Sequence, residues 1–193
     1  LFIAGHETTA NALSWTLYLL AQNPERISRA QQEIRTVTAG SNLQAEHFAQ
    51  LNTLYRIFAE ALRLYPPAWT ISREAVVDTM IADVAVKAGT TVVMSQWVMH
   101  RNPRLWKDPL AFDPDRFLPA AEEARPRFAY FPFGGGPRQC IGDQFAWMEG
   151  VLVLAAVLQK FSPALIDAAF KAEIHPMITL RPRGGMPLVL RRA

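Results

Sequence analysis

A glycine-rich loop that holds the only cysteine of the chain is the feature that most restricts what this sequence can fold into. Residues 131–142 read Phe-Pro-Phe-Gly-Gly-Gly-Pro-Arg-Gln-Cys-Ile-Gly. Three consecutive glycines permit backbone conformations closed to other residues, so amide N–H groups can turn towards one point. An apolar helical pattern begins near Asp143, and the positive end of a helix favours a thiolate at Cys140. Arg138 is placed to pair with a carboxylate on a group that the sulfur holds.

The cysteine is open to three interpretations. A lone cysteine is most often a small buried hydrophobic residue, and a glycine run is most often only a loop. A nucleophilic cysteine needs a histidine or another base, and no histidine lies near Cys140 in the sequence. A single soft thiolate in a glycine-rich loop, with an arginine beside it and an apolar helix behind it, instead suits one axial ligand of a haem iron.

The spacing of five residues in this loop resembles the haem-binding signature of the cytochrome P450 family at every fixed position. The five are Phe133, Gly136, Arg138, Cys140 and Gly142. The resemblance implies that Cys140 is the axial ligand of the iron in haem b. It also implies cofactor contacts from Phe133, Arg138 and Gly142, with Arg138 on a propionate.

The start of the chain combines an acid and two threonines with an apolar helical pattern over residues 1–21. Glycine and threonine are poor helix formers, and a threonine hydroxyl in a helix commonly donates to a carbonyl one turn earlier. An acid beside a hydroxyl at a weakened turn is also what proton delivery requires. The run Ala-Gly-His-Glu-Thr-Thr resembles the oxygen-activation motif of the family's distal helix. That resemblance implies catalytic roles for Glu7 and Thr8.

An acid and an arginine three residues apart, Glu60 and Arg63, lie on one face of a predicted helix over residues 51–64. An exposed pair of this kind contributes little to stability, but apolar neighbours make a buried pair plausible here. The E-x-x-R spacing and the later Pro-Asp-Arg-Phe segment resemble two further motifs of the family. They imply a structural cluster in which Arg116 is the third member.

The prolines after this helix predict an irregular or extended segment over residues 68–73. The family resemblance implies that Arg73 reaches a haem propionate, although a solvated charge is the ordinary interpretation of such a residue. It also implies an apolar substrate pocket. The residues assigned to that pocket are Ala4, Trp69, Thr70, Ile71 and Met186.

The periodicities predict a mainly α fold with small β hairpins. One hairpin is expected between residues 80–86 and 90–94, and a second between residues 177–180 and 188–190. A buried helix is expected over residues 144–161. The resemblance implies the carboxy-terminal part of the cytochrome P450 fold: one partial domain over residues 1–193 that begins inside the distal helix.

Charge and cysteine content restrict the possible partners. A net charge of +3 is too small to argue for nucleic acid. One cysteine cannot form an internal disulfide, and no apolar run reaches the length of a membrane span. We therefore expect a cytoplasmic protein, with no membrane segment in this chain.

The function implied by the resemblance is haem-thiolate monooxygenation. One oxygen atom of O2 would enter a small apolar organic substrate, with electrons from NAD(P)H arriving through a ferredoxin or a flavoprotein reductase, since the chain has no dinucleotide fingerprint of its own. Two alternatives remain open: a non-catalytic haem-thiolate ligand sensor, and a peroxygenase or isomerase of the same fold. For the 193-residue chain in isolation we expect no activity.

Overall fold

The computed structural model describes residues 2–193, with side chains from residue 4 onward. The helix predicted over residues 1–21 is present in the described part, and Leu1 lies outside it. The helices are α1 (Phe2–Ala21), α2 (Pro24–Thr38), α3 (Asn52–Leu64), α4 (Gln96–Met99), α5 (Pro119–Glu123) and α6 (Asp143–Leu158), with 3-10 turns at Ala45–Gln50, Pro114–Phe117 and Gly136–Arg138.

Short antiparallel strand pairs supply the remaining regular structure of residues 2–193. β1 pairs with β4, β2 with β3, β5 with β8 and β6 with β7. The strands are β1 (Ile71–Glu74), β2 (Thr79–Ile81), β3 (Val84–Val86), β4 (Thr91–Met94), β5 (Phe161–Leu165), β6 (Ile174–Pro176), β7 (Leu180–Pro182) and β8 (Leu188–Arg192). The predicted fold class, mainly helical with small β hairpins, is confirmed.

The hairpin predicted between residues 80–86 and 90–94 is wrong. Residues 80–86 fold back on themselves at Ala82, so that β2 pairs with β3. Ala82 has a left-handed φ of 49°, and alanine gives no turn signal of the kind that asparagine or glycine would give. β4 instead pairs with β1, which places Met94 opposite Ile71.

The second predicted hairpin, between residues 177–180 and 188–190, is also wrong. Gly184 and Gly185 do turn the chain, with φ of 73° and 91°. They lead from β7 into a different sheet, however, because β8 pairs with β5. Residues 177–179 form the tip of the β6–β7 hairpin. The prediction failed because β5, the partner of β8, lies too far away in sequence for a local pattern to reveal the pairing.

The main core lies where α1, α2, α3 and α6 meet. α3 is buried along most of its length, because apolar residues alternate with the Glu60–Arg63 pair on its inner faces. α3 and α6 approach so closely that a Cβ atom on Gly150 would lie 2.4 Å from the Phe58 ring. This contact fixes the helix that follows the cysteine loop against the helix that precedes β1.

Candidate functional site

The cysteine loop is closed by its own backbone hydrogen bonds. The amide of Cys140 donates to the carbonyl of Phe133 at 3.0 Å, and the amide of Gly134 donates to Phe131 at 3.0 Å. Gly134 and Gly136 have left-handed φ values of 73° and 72°, which glycine adopts without strain. The expectation that the loop amides turn towards one point therefore does not hold for the Gly134 and Cys140 amides, which are used inside the loop.

Cys140 lies exposed just before α6. Gly142 leaves space beside the sulfur, because a Cβ atom there would lie 4.0 Å from Cys140 Sγ. The neighbouring apolar side chains also face outward: Ile141 is 91% exposed and Phe145 is 61% exposed. Soluble proteins rarely leave large adjacent apolar groups bare without a binding role.

Two aromatic side chains, Phe133 and Phe128, pack the cysteine loop against the rest of the protein. Phe133 packs edge-to-face against Trp147 of α6, with ring centroids 5.7 Å apart, and this pair lies against the main core. The ring of Phe128 covers Gly135 so closely that a Cβ atom there would lie 2.5 Å from it. Phe133 thus anchors the loop inward, while Cys140 at the other end remains accessible.

Arg63 uses all five of its N–H donors inside the protein. Its Nε and Nη2 atoms donate to the two carboxylate oxygens of Glu60 at 2.6 and 2.8 Å. Its Nη1 atom donates to the carbonyls of His100 and Pro109, both at 2.7 Å. The remaining Nη2 proton goes to the carbonyl of Ala111 at 3.1 Å. Arg63 therefore ties α3 to the segment that leads towards the cysteine loop.

The structure brings Glu60, Arg63 and Arg116 together, as the family resemblance implied. Arg116 Nε lies 3.4 Å from Glu60 Oε1, and the amide of Asp113 donates to the same oxygen at 2.9 Å. Glu60 and Arg63 are fully buried. Burial raises the pKa of Glu60, while the bonds from Arg63 and the Asp113 amide and the charge of Arg116 oppose that rise.

The two catalytic candidates on α1 have different partners. The Thr8 hydroxyl donates to the Ala4 carbonyl at 2.6 Å, which is the ordinary arrangement of a helical threonine. The Glu7 carboxylate pairs with Arg181 at 2.8 Å and accepts from the Thr179 hydroxyl at 2.5 Å. α1 is thus joined to β7 through the acid of its motif.

No motif in the sequence indicates a role for Thr179 or Arg181. They lie 172 and 174 positions after Glu7, and no local pattern links residues so far apart. The β6–β7 register, which the sequence did not reveal, aims both side chains at α1.

One of the predicted pocket residues, Trp69, contacts the tip of the β6–β7 hairpin. Trp69 Nε1 donates to the Met177 carbonyl at 2.9 Å, and the amide of Leu180 donates to Pro67 at 2.9 Å. The hairpin that was expected to carry Met186 does not form, and the described contacts bring Met177 to Trp69. The place of Met186 in the pocket stays a prediction. The next residue of the tip, Ile178, is 96% exposed.

Strand β1 connects this tip to the cysteine loop. A Cβ atom on Gly134 would lie 3.8 Å from Ile71 Cδ1. Residues two apart on a strand share a face, so Arg73 projects from the same face as Ile71. Among the described residues, neither Arg73 nor Arg138 forms an ion pair with a carboxylate.

The residues present fit a haem. The only thiol of the chain is accessible, and thiolate is an established axial ligand of haem iron. Exposed apolar side chains beside it suit the faces of a porphyrin, and two arginines without carboxylate partners suit its propionates. Cys140 would hold the iron, while Arg138 and Arg73 would bind the propionates.

The comparison with known sequences agrees with this chemistry. The family profile described as Cytochrome P450 matches residues 1–189. A protein of Mycobacterium tuberculosis named as cytochrome P450 132 is 42% identical over 98% of this chain and 41% of its own length. Cytochrome P450 4X1 of Rattus norvegicus is 40% identical over 98% of this chain and 38% of its own length. The chain thus spans about two fifths of the length of these curated relatives.

Solved structures give the same result for the fold. The crystal structures of the cytochrome P450 CYP102L1 and of the haem domain of cytochrome P450DA both superpose with a TM-score of 0.91 at 32% identity. They cover 99% of this chain, and the chain covers 43% and 42% of theirs. Within the described residues, no helix has both the length and the apolar character that crossing a membrane requires.

Proposed function

The chain belongs to the cytochrome P450 family, and from this premise we propose that the protein carrying it is a haem-thiolate monooxygenase. One observation supports the proposal most: an exposed Cys140 lies beside exposed apolar side chains at the start of α6. Such a surface suits a flat apolar cofactor held by one sulfur ligand. The proposal includes the class of substrate and the kind of redox partner.

Cys140 binds the iron through its thiolate. When bound, the haem would supply the oxidising chemistry. Arg138 and Arg73 bind the propionates, and Phe133 holds the loop against α6. Cys140, Arg138 and Arg73 would together orient the cofactor.

Glu7 and Thr8 deliver protons. The Glu7 carboxylate, one position before Thr8, is held by Arg181 and Thr179. The Thr8 hydroxyl donates to the Ala4 carbonyl, which leaves its oxygen lone pairs to accept a hydrogen bond. An acid and a hydroxyl in this order can pass protons inward.

The substrate class follows from the residues that the family resemblance assigns to the pocket. The proposed pocket residues supply mostly apolar surface, and the only polar atom of the Trp69 side chain is bonded to Met177. They are Ala4, Trp69, Thr70, Ile71 and Met186. Such a lining selects a small apolar organic molecule. Electrons from NAD(P)H would reach the haem through a ferredoxin or a flavoprotein reductase.

The test compares Thr8→Ala with Ser14→Ala in the complete haem-loaded protein supplied with a reductase. Ser14 lies on the same helix and makes the same type of bond, to the Ala10 carbonyl at 2.8 Å. In Thr8→Ala the product formed per NAD(P)H consumed should fall roughly 10²-fold or more, because general acid–base catalysis contributes about 10²–10⁴-fold. Ser14→Ala should leave the ratio unchanged.

Two results would count against the proposal. Unchanged coupling in Thr8→Ala would remove the proton-delivery role and favour a peroxygenase or isomerase. A wild-type protein that binds haem ligands without sustained NAD(P)H consumption in the presence of reductase would be a sensor.

A further inference from the structure

His100 links the buried cluster of α3 to the first residue of the cysteine loop. It follows α4 directly, and its side chain is completely buried. Its carbonyl accepts from Arg63 at 2.7 Å, while its ring Nε2 atom accepts from the amide of Phe131 at 3.0 Å. One residue therefore contacts both the arginine that organises the core and the chain entering the loop.

The contact requires one form of the imidazole ring. Because Nε2 accepts a hydrogen bond, it carries no proton, and a neutral ring then carries its proton on Nδ1. The ring also lies 5.1 Å from Tyr130 and 5.4 Å from Phe131, centroid to centroid. No other residue in the described part of the chain satisfies the Phe131 amide.

Two backbone bonds carry the position of Phe131 on to the sulfur. The carbonyl of Phe131 accepts from Gly134, and the carbonyl of Phe133 accepts from Cys140, both at 3.0 Å. These two bonds close the turn at Gly134, and they join the position of Cys140 to that of Phe131. A shift at Phe131 would therefore move Cys140.

We propose that His100 is a positioning residue for Cys140: its neutral ring fixes the start of the cysteine loop and so keeps the thiolate directed at the iron. The effect on the thiolate ligand rests on the proposed function, because it requires a bound haem. The hydrogen bond itself does not depend on that function.

The charges around His100 favour the neutral ring. Arg63 on α3, Arg101 beside it and Arg125 after α5 all act against a positive charge there. Together with burial, which is the largest cause, they lower the pKa of His100 to about 3. The accepting nitrogen is thus available throughout the neutral range.

The test compares His100→Leu with His100→Gln in the complete haem-loaded protein. The amide oxygen of glutamine reaches the position of Nε2 and can accept from Phe131, whereas leucine cannot. Tyr130→Phe is the matched control, because it removes a neighbouring bond, to the Ala59 carbonyl at 2.9 Å, without touching the loop amide. The measured quantity is the ratio of thiolate-bound to neutral-thiol forms in the reduced, carbon-monoxide-bound spectrum.

For His100→Leu, the ratio should fall about tenfold, which corresponds to loss of one hydrogen bond that leaves a buried donor unpaired. His100→Gln should recover most of the ratio, and Tyr130→Phe should match the wild type. A ratio in His100→Leu equal to that of Tyr130→Phe, or no recovery in His100→Gln, would overturn the proposal.

A second measurement needs no variant. Nitrogen NMR of the histidine-labelled wild type should show His100 as the tautomer with its proton on Nδ1. A proton on Nε2 would overturn the proposal even if the variants fail to fold. If the wild type gives no thiolate spectrum at all, the proposed function fails, and the tautomer still decides whether His100 holds the loop.

Discussion

Arg63 forms a buried bidentate ion pair with Glu60. Replacing Arg63 with leucine removes this pair. Glu60 would keep the amide of Asp113 at 2.9 Å and the longer contact to Arg116 at 3.4 Å. Three carbonyl groups, of His100, Pro109 and Ala111, would also lose their donors. We therefore expect a large loss of stability from a single substitution.

The size of the loss follows from burial. Breaking one partner out of a buried ion pair costs about 3–5 kcal/mol, because the remaining charge stays in a region of low polarity. A typical domain is stable by only about 5–15 kcal/mol. Arg63→Leu should therefore remove a large part of the free energy of unfolding. In the double variant Glu60→Leu with Arg63→Leu the loss should be smaller than in Arg63→Leu alone, because no unpaired carboxylate remains from the pair.

The assay is urea unfolding of the complete protein, followed by tryptophan fluorescence and far-ultraviolet circular dichroism. Lys87→Met is the matched control, because Lys87 forms an equally short ion pair with Asp78 at 2.7 Å on the exposed surface. That variant should be indistinguishable from the wild type, since exposed pairs contribute little. A loss in Arg63→Leu no larger than in Lys87→Met would refute the reasoning.

Two further predictions concern the packing below the loop and the behaviour in acid. Gly150→Ala should destabilise the protein by about 1–3 kcal/mol, because the new Cβ would overlap the Phe58 ring. Helix propensity alone predicts the opposite, a gain in stability of about 1 kcal/mol. A higher urea midpoint in the variant would therefore contradict the close approach of α3 and α6. The pKa of His100 is lowered from 6.5 to about 3 on folding, so its contribution is present above pH 6.5 and is lost as the pH falls towards 3. At pH 5 about 2 kcal/mol of it should be gone, and His100→Gln should flatten this part of the stability profile; an equal slope in both proteins would contradict the buried neutral ring.

The features that the sequence predicts correctly depend on residues that are close together in the chain. The family and the fold class follow from motifs that each occupy a few consecutive residues. The pairing of Glu60 with Arg63 is also local, since residues three apart share a helix face. In each case the information lies within one element.

Long-range pairing could not be predicted in the same way. β8 pairs with β5 rather than with the residues before the glycine turn, and strand pairing depends on tertiary packing more than on strand propensity. The partners of Glu7 depend on the β6–β7 hairpin, because Thr179 lies at its tip and Arg181 lies on β7. His100 gave no signal, since a single histidine after a short helix has no characteristic spacing.

The most direct test of the account is the reduced, carbon-monoxide-bound difference spectrum of the complete protein and of its Cys140→Ser variant. We predict a far red-shifted Soret band in the wild type, which is the mark of a thiolate ligand, and its loss in Cys140→Ser. A wild type without a haem band, or with a band typical of histidine or neutral-thiol ligation, would contradict the assignment of Cys140 as the iron ligand.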